Sequence, residues 1–256
     1  KDKTTFQKEL TDIEVYNKKK YIYLPKFIDN DNFQNIKNIV FDLYNNNKYS
    51  HYSNNWFTHL DPMHTDNQKT RQKIFLYIKN IVCSEKETED EINKHYNMVY
   101  NKLINPLSDI LSKIKELHNT NYVCIDRMLL FKVYPGEEEQ NIHLDGPINI
   151  ENKPMDFNQC YVLIPLHNTS IEMGGTAYYN YESIKKYKDE LDKKYNNGIG
   201  YGSGFGYYND LKGEKLKDFK NARHVLQYNE RDIAIHNNYC FHNGTANNTK
   251  KMRRYL

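Results

Sequence analysis

The sequence predicts an α+β fold, with a helical front half and a strand-rich back half that share one sheet system rather than alternating βαβ units. Apolar residues recur at helical spacing through roughly the first 120 positions. Short β-branched and aromatic runs, separated by turn residues, replace them from about residue 127 onward. The chain has 256 residues, and a hydrophobic content of 38% is low for a globular domain, but 23 Tyr and 11 Phe bring large buried areas. A compact domain of this length buries roughly 70–75% of the surface its unfolded chain exposes, enough for a core without staples.

In chain order, residues 1–20 are charged and lack an apolar period, so a short helix or a loose arm is expected there. Tyr21–Leu24 reads as a strand, followed by Pro25 and the turn-prone Asp29–Asp31. Phe33, Ile36, Ile39, Val40, Leu43 and Tyr44 lie on one face of an amphipathic helix. A loop rich in Asn, His and aromatics runs from Asn45 to about Thr70. A second helical stretch covers about Glu87 to Leu117, broken near Pro106, with Ile110, Leu111, Ile114 and Leu117 as its apolar face. Met128–Tyr134, Tyr161–Leu166, Thr176–Tyr179, His224–Tyr228 and Asp232–His236 read as strands. Between Tyr181 and Lys220 lies a Lys-, Tyr- and Gly-rich insertion in which Gly198, Gly200, Gly202, Gly204 and Gly206 fall at every second position. That spacing fits neither GxGxxG nor GxxxxGK[ST] and reads as a loop beside a pocket.

Several classes are excluded. The longest apolar runs, Met128–Phe131 and Tyr161–Leu166, fall far short of the ~20 residues of a membrane span. No signal-peptide pattern follows Lys1, and Cys83, Cys124, Cys160 and Cys240 lie far apart with no CxxC pair. They read as free core thiols in a reducing, cytoplasmic compartment, with two disulfides as the other reading. Lys and Arg total 36 against 33 Asp and Glu, a net charge of +3 that does not indicate nucleic acid. A strong Asn and Lys bias devalues the glycosylation-type triplets at Asn168, Asn243 and Asn247.

The residues that carry chemistry are His143 and Asp145 in "NIHLDGP". In an extended chain, residues two apart share a face, so both can reach one metal while Leu144 packs the other way. A distal histidine completes a 2-His-1-carboxylate face that leaves metal positions open for substrate and oxygen chemistry. The candidate is His242, with Arg253 eleven residues beyond it and Thr245, Asn247 and Thr249 between. His59–Asp61 repeats the His-Leu-Asp tripeptide, but Pro62 follows it and no strand precedes it; neighbouring His64 adds nothing. His236 competes as distal ligand but ends an alternating strand, where core or surface duty is expected, as it is for His167 and His224.

HxD, a distal His and a trailing Arg in this order resemble the Fe(II)/2-oxoglutarate dioxygenases, and more loosely their phytanoyl-CoA-hydroxylase-like branch. "RDIAIHNNYCFH" is similar to the strand that carries the branch's distal His, with Arg231 where Gly is usual, and Gly244 stands where the branch has Ser. "EMGGTAYY" at Glu172–Tyr179 resembles its "NG" turn and following strand. The resemblance covers about Arg127 to Leu256, and "YIYLPKFIDNDNF" is weakly like the entry strand and helix.

The resemblance implies a double-stranded β-helix (jelly roll) core at 121–256 with an insertion at about 181–222, supported by helices from 1–120, together one oxygenase domain over 1–256. It implies Fe(II) on His143, Asp145 and His242, 2-oxoglutarate with Arg253 on its C5 carboxylate, and ascorbate as an accessory reductant. Lys132 and Tyr134, which share a face of the strand before HxD, and Thr245 are further candidate cosubstrate contacts, each with a structural alternative. Trp56 reads either as lining the entrance or as a core anchor. Arg253 and Arg254 point to opposite faces, and spacing favours Arg253. Related halogenases replace the Asp of the triad, so Asp145 implies hydroxylation, with succinate and CO2 as coproducts. The expected substrate is a small or lipid-like molecule. The alternatives are a protein prolyl- or lysyl-type hydroxylase, a cupin-type metalloenzyme without 2-oxoglutarate and a non-catalytic jelly-roll binding module. Oligomeric state is not legible.

Overall fold

The computed structural model describes residues 10–46, 71–78, 89–143, 159–187 and 211–256. Helix α1 (Asp12–Lys19) opens with a capping box in which Thr11 and Glu14 exchange hydrogen bonds, and it closes on Lys20 in the left-handed region at φ 67°. β1 (Tyr21–Leu24) and the amphipathic α2 (Asn30–Asn46) follow. Next come β2 (Arg71–Ile78), α3 (Glu89–Leu103), α4 (Ser108–His118) and β3 (Arg127–Val133). The back half holds β4 (Cys160–Leu163), β5 (Thr176–Tyr179), α5 (Tyr181–Ile184) with a 3-10 turn after it, α6 (Gly213–Ala222), β6 (Arg223–Leu226), β7 (Ile233–Asn237), β8 (His242–Gly244) and β9 (Arg253–Tyr255). No described helix is long and apolar enough to cross a membrane.

The strands form three antiparallel three-stranded sheets, ordered β1-β7-β4, β2-β3-β9 and β6-β5-β8. Backbone bonds exchanged between Ile164 and Leu256, with a bridge from Pro165 to Tyr255, join the first two edge to edge. A bridge between His143 and His242 extends the third. Strand alternation then sorts side chains into layers. Ile22, Ile233, Ile235, Met128 and Leu130 face the helices, packing with Phe33, Ile36, Val40 and Leu103. Ala177 and Tyr179 of β5 face α5 and α6, against Ile184 and Phe219. Between the sheets lies a cluster of Tyr21, Tyr178, Leu226, Tyr228, Ala234, Cys240 and Tyr255.

Three details depart from the sequence reading. β2 is a strand where no element is expected, because its apolar residues run continuously from Ile74 to Ile78 and show no period; a register shift between Phe75 and Tyr77 breaks the alternation further. β8 and β9 are too short for any period and exist through their partners. Cys124 is exposed rather than a core thiol, while Cys240 is buried and burial pushes the Cys160 thiol up to about 11; none of the three forms a disulfide. Cys83, Trp56, His59, Asp61, His64, the 198–206 glycines and Asp145 lie outside the described residues.

Candidate active site

The space between the sheets collects the polar residues that the fold has no architectural reason to bury. His143 and His242 exchange backbone N–H···O bonds of 2.9 and 3.0 Å, which fixes the two strands in register at this pair. Their rings stand 4.5 Å apart between centroids, and both are buried. His143 Nδ1 donates to the Asn141 carbonyl at 2.7 Å, and His242 Nδ1 donates to the Cys240 carbonyl at 3.0 Å. A carbonyl only accepts, so both rings hold a proton on Nδ1, and in the neutral ring the lone pair lies on Nε2. Backbone carbonyls serve metal-ligating histidines in this way, setting tautomer and ring orientation together. The pair therefore fits a cation, although among the described residues no three His, Cys, Asp or Glu side chains converge on one point.

The register also separates the two adjacent arginines. Cross-strand partners share a face, and β3 pairs with β9 as Phe131↔Tyr255, Lys132↔Arg254 and Val133↔Arg253. Arg253 and Tyr255 therefore face the space between the sheets. Arg253 is 1% exposed; its Nη1 donates to the Met173 carbonyl at 2.8 Å and its Nη2 to the Thr245 carbonyl at 3.1 Å. Its Nε has no hydrogen-bond partner, and among the described residues no carboxylate pairs with it. A buried guanidinium with an unmet donor fits an anion. Gly174, at φ +74°, makes room for it: a Cβ there would lie 2.5 Å from Arg253 Nη1 and 2.5 Å from Thr245 Oγ1. Thr245 Oγ1 accepts from the Gly175 amide at 2.7 Å, locking this turn to β8.

Lys132 and Tyr134 take the other side. Lys132 Nζ donates to the Tyr44 hydroxyl at 2.6 Å and lies over the Tyr44 and Tyr134 rings, against α2. Arg254 is on that face as well, over Phe41, with its amide donating to His167 Nε2. The sequence puts Lys132 and Tyr134 on one face; the register turns that face toward the helices, away from Arg253 and the histidines.

The structure brings in one residue that sequence reasoning weighed and set aside, His236, and one that it passed over, Tyr228. His236 shares the inward face of β7 with Ala234, and its ring centroid stands 4.5 Å from that of His242. Its Nδ1 bonds the Tyr178 hydroxyl at 3.1 Å, linking β7 to β5. Alternation with Ile233 and Ile235 was the available signal. Tyr228, just after β6, is fully buried and its hydroxyl has no hydrogen-bond partner. Burial holds the Tyr21 hydroxyl up to about 12 and raises that of Tyr228, so both stay protonated.

Arg231, where the resembling branch has Gly, occupies the left-handed region at φ 75° that favours glycine. Its amide carbonyl accepts from Ile28, and its Nε donates back to the Ile28 carbonyl at 2.7 Å. Two bonds to one residue hold a strained turn that glycine would adopt freely.

No protein-family model matches the chain, nor does any curated protein sequence. Solved structures do. The epimerase SnoN, in complex with Fe3+, alpha ketoglutarate and nogalamycin RO, superposes with a TM-score of 0.60 at 9% identity, covering 95% of this chain and 79% of its own. The non-heme alpha ketoglutarate dependent carbocyclase SnoK, from nogalamycin biosynthesis, gives 0.50 at 11% identity over 96% and 81%. HygX from Streptomyces hygroscopicus, with nickel and 2-oxoglutarate bound, gives 0.50 at 11% identity over 96% and 85%. The chain has the fold of these 2-oxoglutarate-dependent enzymes.

Proposed function

We propose that this chain is an Fe(II)- and 2-oxoglutarate-dependent oxygenase acting on a small molecule. In this reading the joined sheets β1-β7-β4 and β2-β3-β9 form one face of a jelly roll, and β6-β5-β8 with the His143 segment forms the other. The observation that carries the proposal is the pairing of His143 with His242, two buried rings from distant parts of the chain with both Nδ1 protons tied to carbonyls. The solved structures of the same fold add support, because those named above depend on 2-oxoglutarate or hold it with Fe or Ni.

His143 and His242 would hold the metal through Nε2, with Asp145 as the third ligand. When bound, the iron supplies oxygen activation coupled to decarboxylation of the 2-oxo acid. Arg253 holds the distal carboxylate of 2-oxoglutarate, and Thr245 positions Arg253 through its carbonyl and closes the turn around it. The tyrosine-lined wall between the sheets excludes water from this end, which strengthens the charge interaction. The small-molecule assignment draws on SnoN and SnoK, which belong to the chemistry of nogalamycin. An epimerase and a carbocyclase also share this fold, so hydroxylation is the outcome proposed from Asp145 alone.

Anaerobic addition of Fe(II) and 2-oxoglutarate to the protein tests the reading. A visible charge-transfer band is expected in wild type and absent from His143→Ala and His242→Ala, while Arg253→Met demands at least tenfold more 2-oxoglutarate for the same band. No band in wild type would overturn the assignment.

A further inference from the structure

We propose that a cationic cleft on the outer side of β9 is a second ligand site, for a soluble organic phosphate that joins a dianionic head to an apolar body. The cleft has a volume of about 860 Å³, within the size range of small-molecule sites. Its walls come from α2, the loop after β4 and the turn between β8 and β9. Alternation along β9 separates it from the reaction centre, because Arg254 lines the cleft while Arg253 faces the space between the sheets.

Charge defines the head group. Lys37, Lys250, Lys251 and Arg254 line the cleft, and no carboxylate does. Glu230 neutralises Lys37, at 2.7 Å from its Nζ. Among the described residues, no acidic side chain pairs with Lys250, Lys251 or Arg254. Glu172 is close in sequence, but its carboxylate is held by the Ser170 hydroxyl. Lys132, directly opposite Arg254 across β3 and β9, adds another cation to this face, with the Tyr44 hydroxyl rather than a carboxylate on its Nζ. Like charges set opposite each other repel, so the face favours an anion. With three unpaired cations at the cleft, a dianion suits it better than a single carboxylate.

The cations stand on fixed backbone. Asn247 accepts from the Thr249 amide and hydroxyl and donates to the Lys251 carbonyl at 2.9 Å, while the Lys251 amide donates to Thr249 Oγ1 at 3.1 Å. Arg254 is pinned at both ends of its peptide: its amide donates to His167 Nε2 at 3.0 Å, and its carbonyl accepts from the Leu166 amide at 3.1 Å. Its guanidinium lies over the Phe41 ring, 5.7 Å from the centroid. Lys37 and Phe41, four residues apart on α2, bring a cation and an aromatic ring to the same space. Leu166, Met173 and Met252 complete an apolar lining that accepts the body of the ligand beside its charged head.

The test is calorimetric titration of naphthyl phosphate into the full chain at low salt, with inorganic phosphate and naphthol as the two halves of the probe. Naphthyl phosphate should bind with one-to-one stoichiometry and more tightly than either half. The double variant Lys250→Gln/Lys251→Gln changes two exposed side chains and leaves the backbone bonds of the turn in place. It should weaken binding about fivefold or more, and Arg254→Gln should do the same. Lys18→Gln/Lys19→Gln, on α1, removes the same charge outside the cleft and should leave the affinity unchanged. No binding by wild type overturns the proposal, as does undiminished affinity in the Lys250/Lys251 variant, which would put the probe elsewhere. An equal loss in the α1 variant reduces the effect to diffuse charge, and inorganic phosphate binding as tightly as the probe removes the apolar half; either result overturns it. Flotation of wild type, but not of the Lys250/Lys251 variant, with phosphatidylglycerol vesicles would assign the face to a membrane surface and overturn it as well.

Discussion

Three buried polar side chains at the turns and edges of this molecule are treated in the opposite way from two at its centre. At the turn before β7, Asp232 is 1% exposed and accepts from the Lys26 amide at 2.8 Å, the Asn229 amide at 2.6 Å and the Tyr23 hydroxyl. Between β8 and β9, Asn247 donates to the carbonyls of Val133 and Lys251 and accepts from the amide and hydroxyl of Thr249. On the far face of β8, Asn243 accepts from Tyr179 and donates to Glu139 and the Gln140 carbonyl. Each of these is saturated from within the chain. At the centre, Arg253 and Tyr228 keep unmet donors. Saturation marks architecture; Asn180 Oδ1, at the turn after β5, lacks a partner too, but only at the centre does the shortfall fall on a buried cation, which marks a surface shaped for something else.

The largest effect expected from that contrast is on the saturated side. Asp232→Ala leaves two amides and a phenol at a part-buried turn without their acceptor, at a cost of about 3 kcal/mol. For a chain of this length that lowers the melting temperature by roughly 6–12 °C. Affinity for 2-oxoglutarate, measured on the folded protein, should not change. A loss of a degree or two would mean that the turn relaxes around the missing carboxylate and that saturation says little about architecture.

Gly174→Ala probes the boundary between the two regions. The backbone there is at φ +74°, and the new Cβ would lie 2.3 Å from the Ala246 carbonyl oxygen as well as 2.5 Å from Arg253 Nη1. A left-handed alanine costs about 1–3 kcal/mol, so the melting temperature should fall by a few degrees. Displacement of Arg253 should also weaken 2-oxoglutarate about tenfold. Lost stability with intact affinity would show that Arg253 is not held in place for the ligand.

The same contrast explains what could be read from the sequence. Elements with a clean period were legible: α2, β5 and the break between α3 and α4 fall close to where their apolar spacing puts them. So was the opposition of Arg253 and Arg254, because alternation alone dictates it. Which of two faces looks inward was not legible. β3 buries Met128, Leu130 and Lys132 on one side and packs Phe131 on the other, so the placement of Lys132 waited on its pairing with β9. Tyr228 was invisible for a different reason: an orphaned hydroxyl is a property of its surroundings, and nothing in one sequence reports what a side chain fails to touch.

The smallest effect concerns a histidine in neither set. His118, at the end of α4, is half-buried, and its Nε2 bonds the Tyr16 hydroxyl at 3.0 Å. Burial pushes its pKa below the ordinary value of about 6.5. The folded state thus prefers the neutral ring, and the unfolded chain binds the proton first as pH falls. The contribution is present above the unfolded value and is lost as pH drops through it toward the folded one. His118→Gln keeps an acceptor for Tyr16 and removes the titration. Melting curves between pH 7.5 and 5.5 should show wild type losing about 1–3 °C more than His118→Gln, with the two proteins converging in slope above pH 7. Every other group is common to the two proteins and cancels in the difference. Parallel curves across the range would mean that the Tyr16 bond, and not the burial of the ring, sets the charge state of His118.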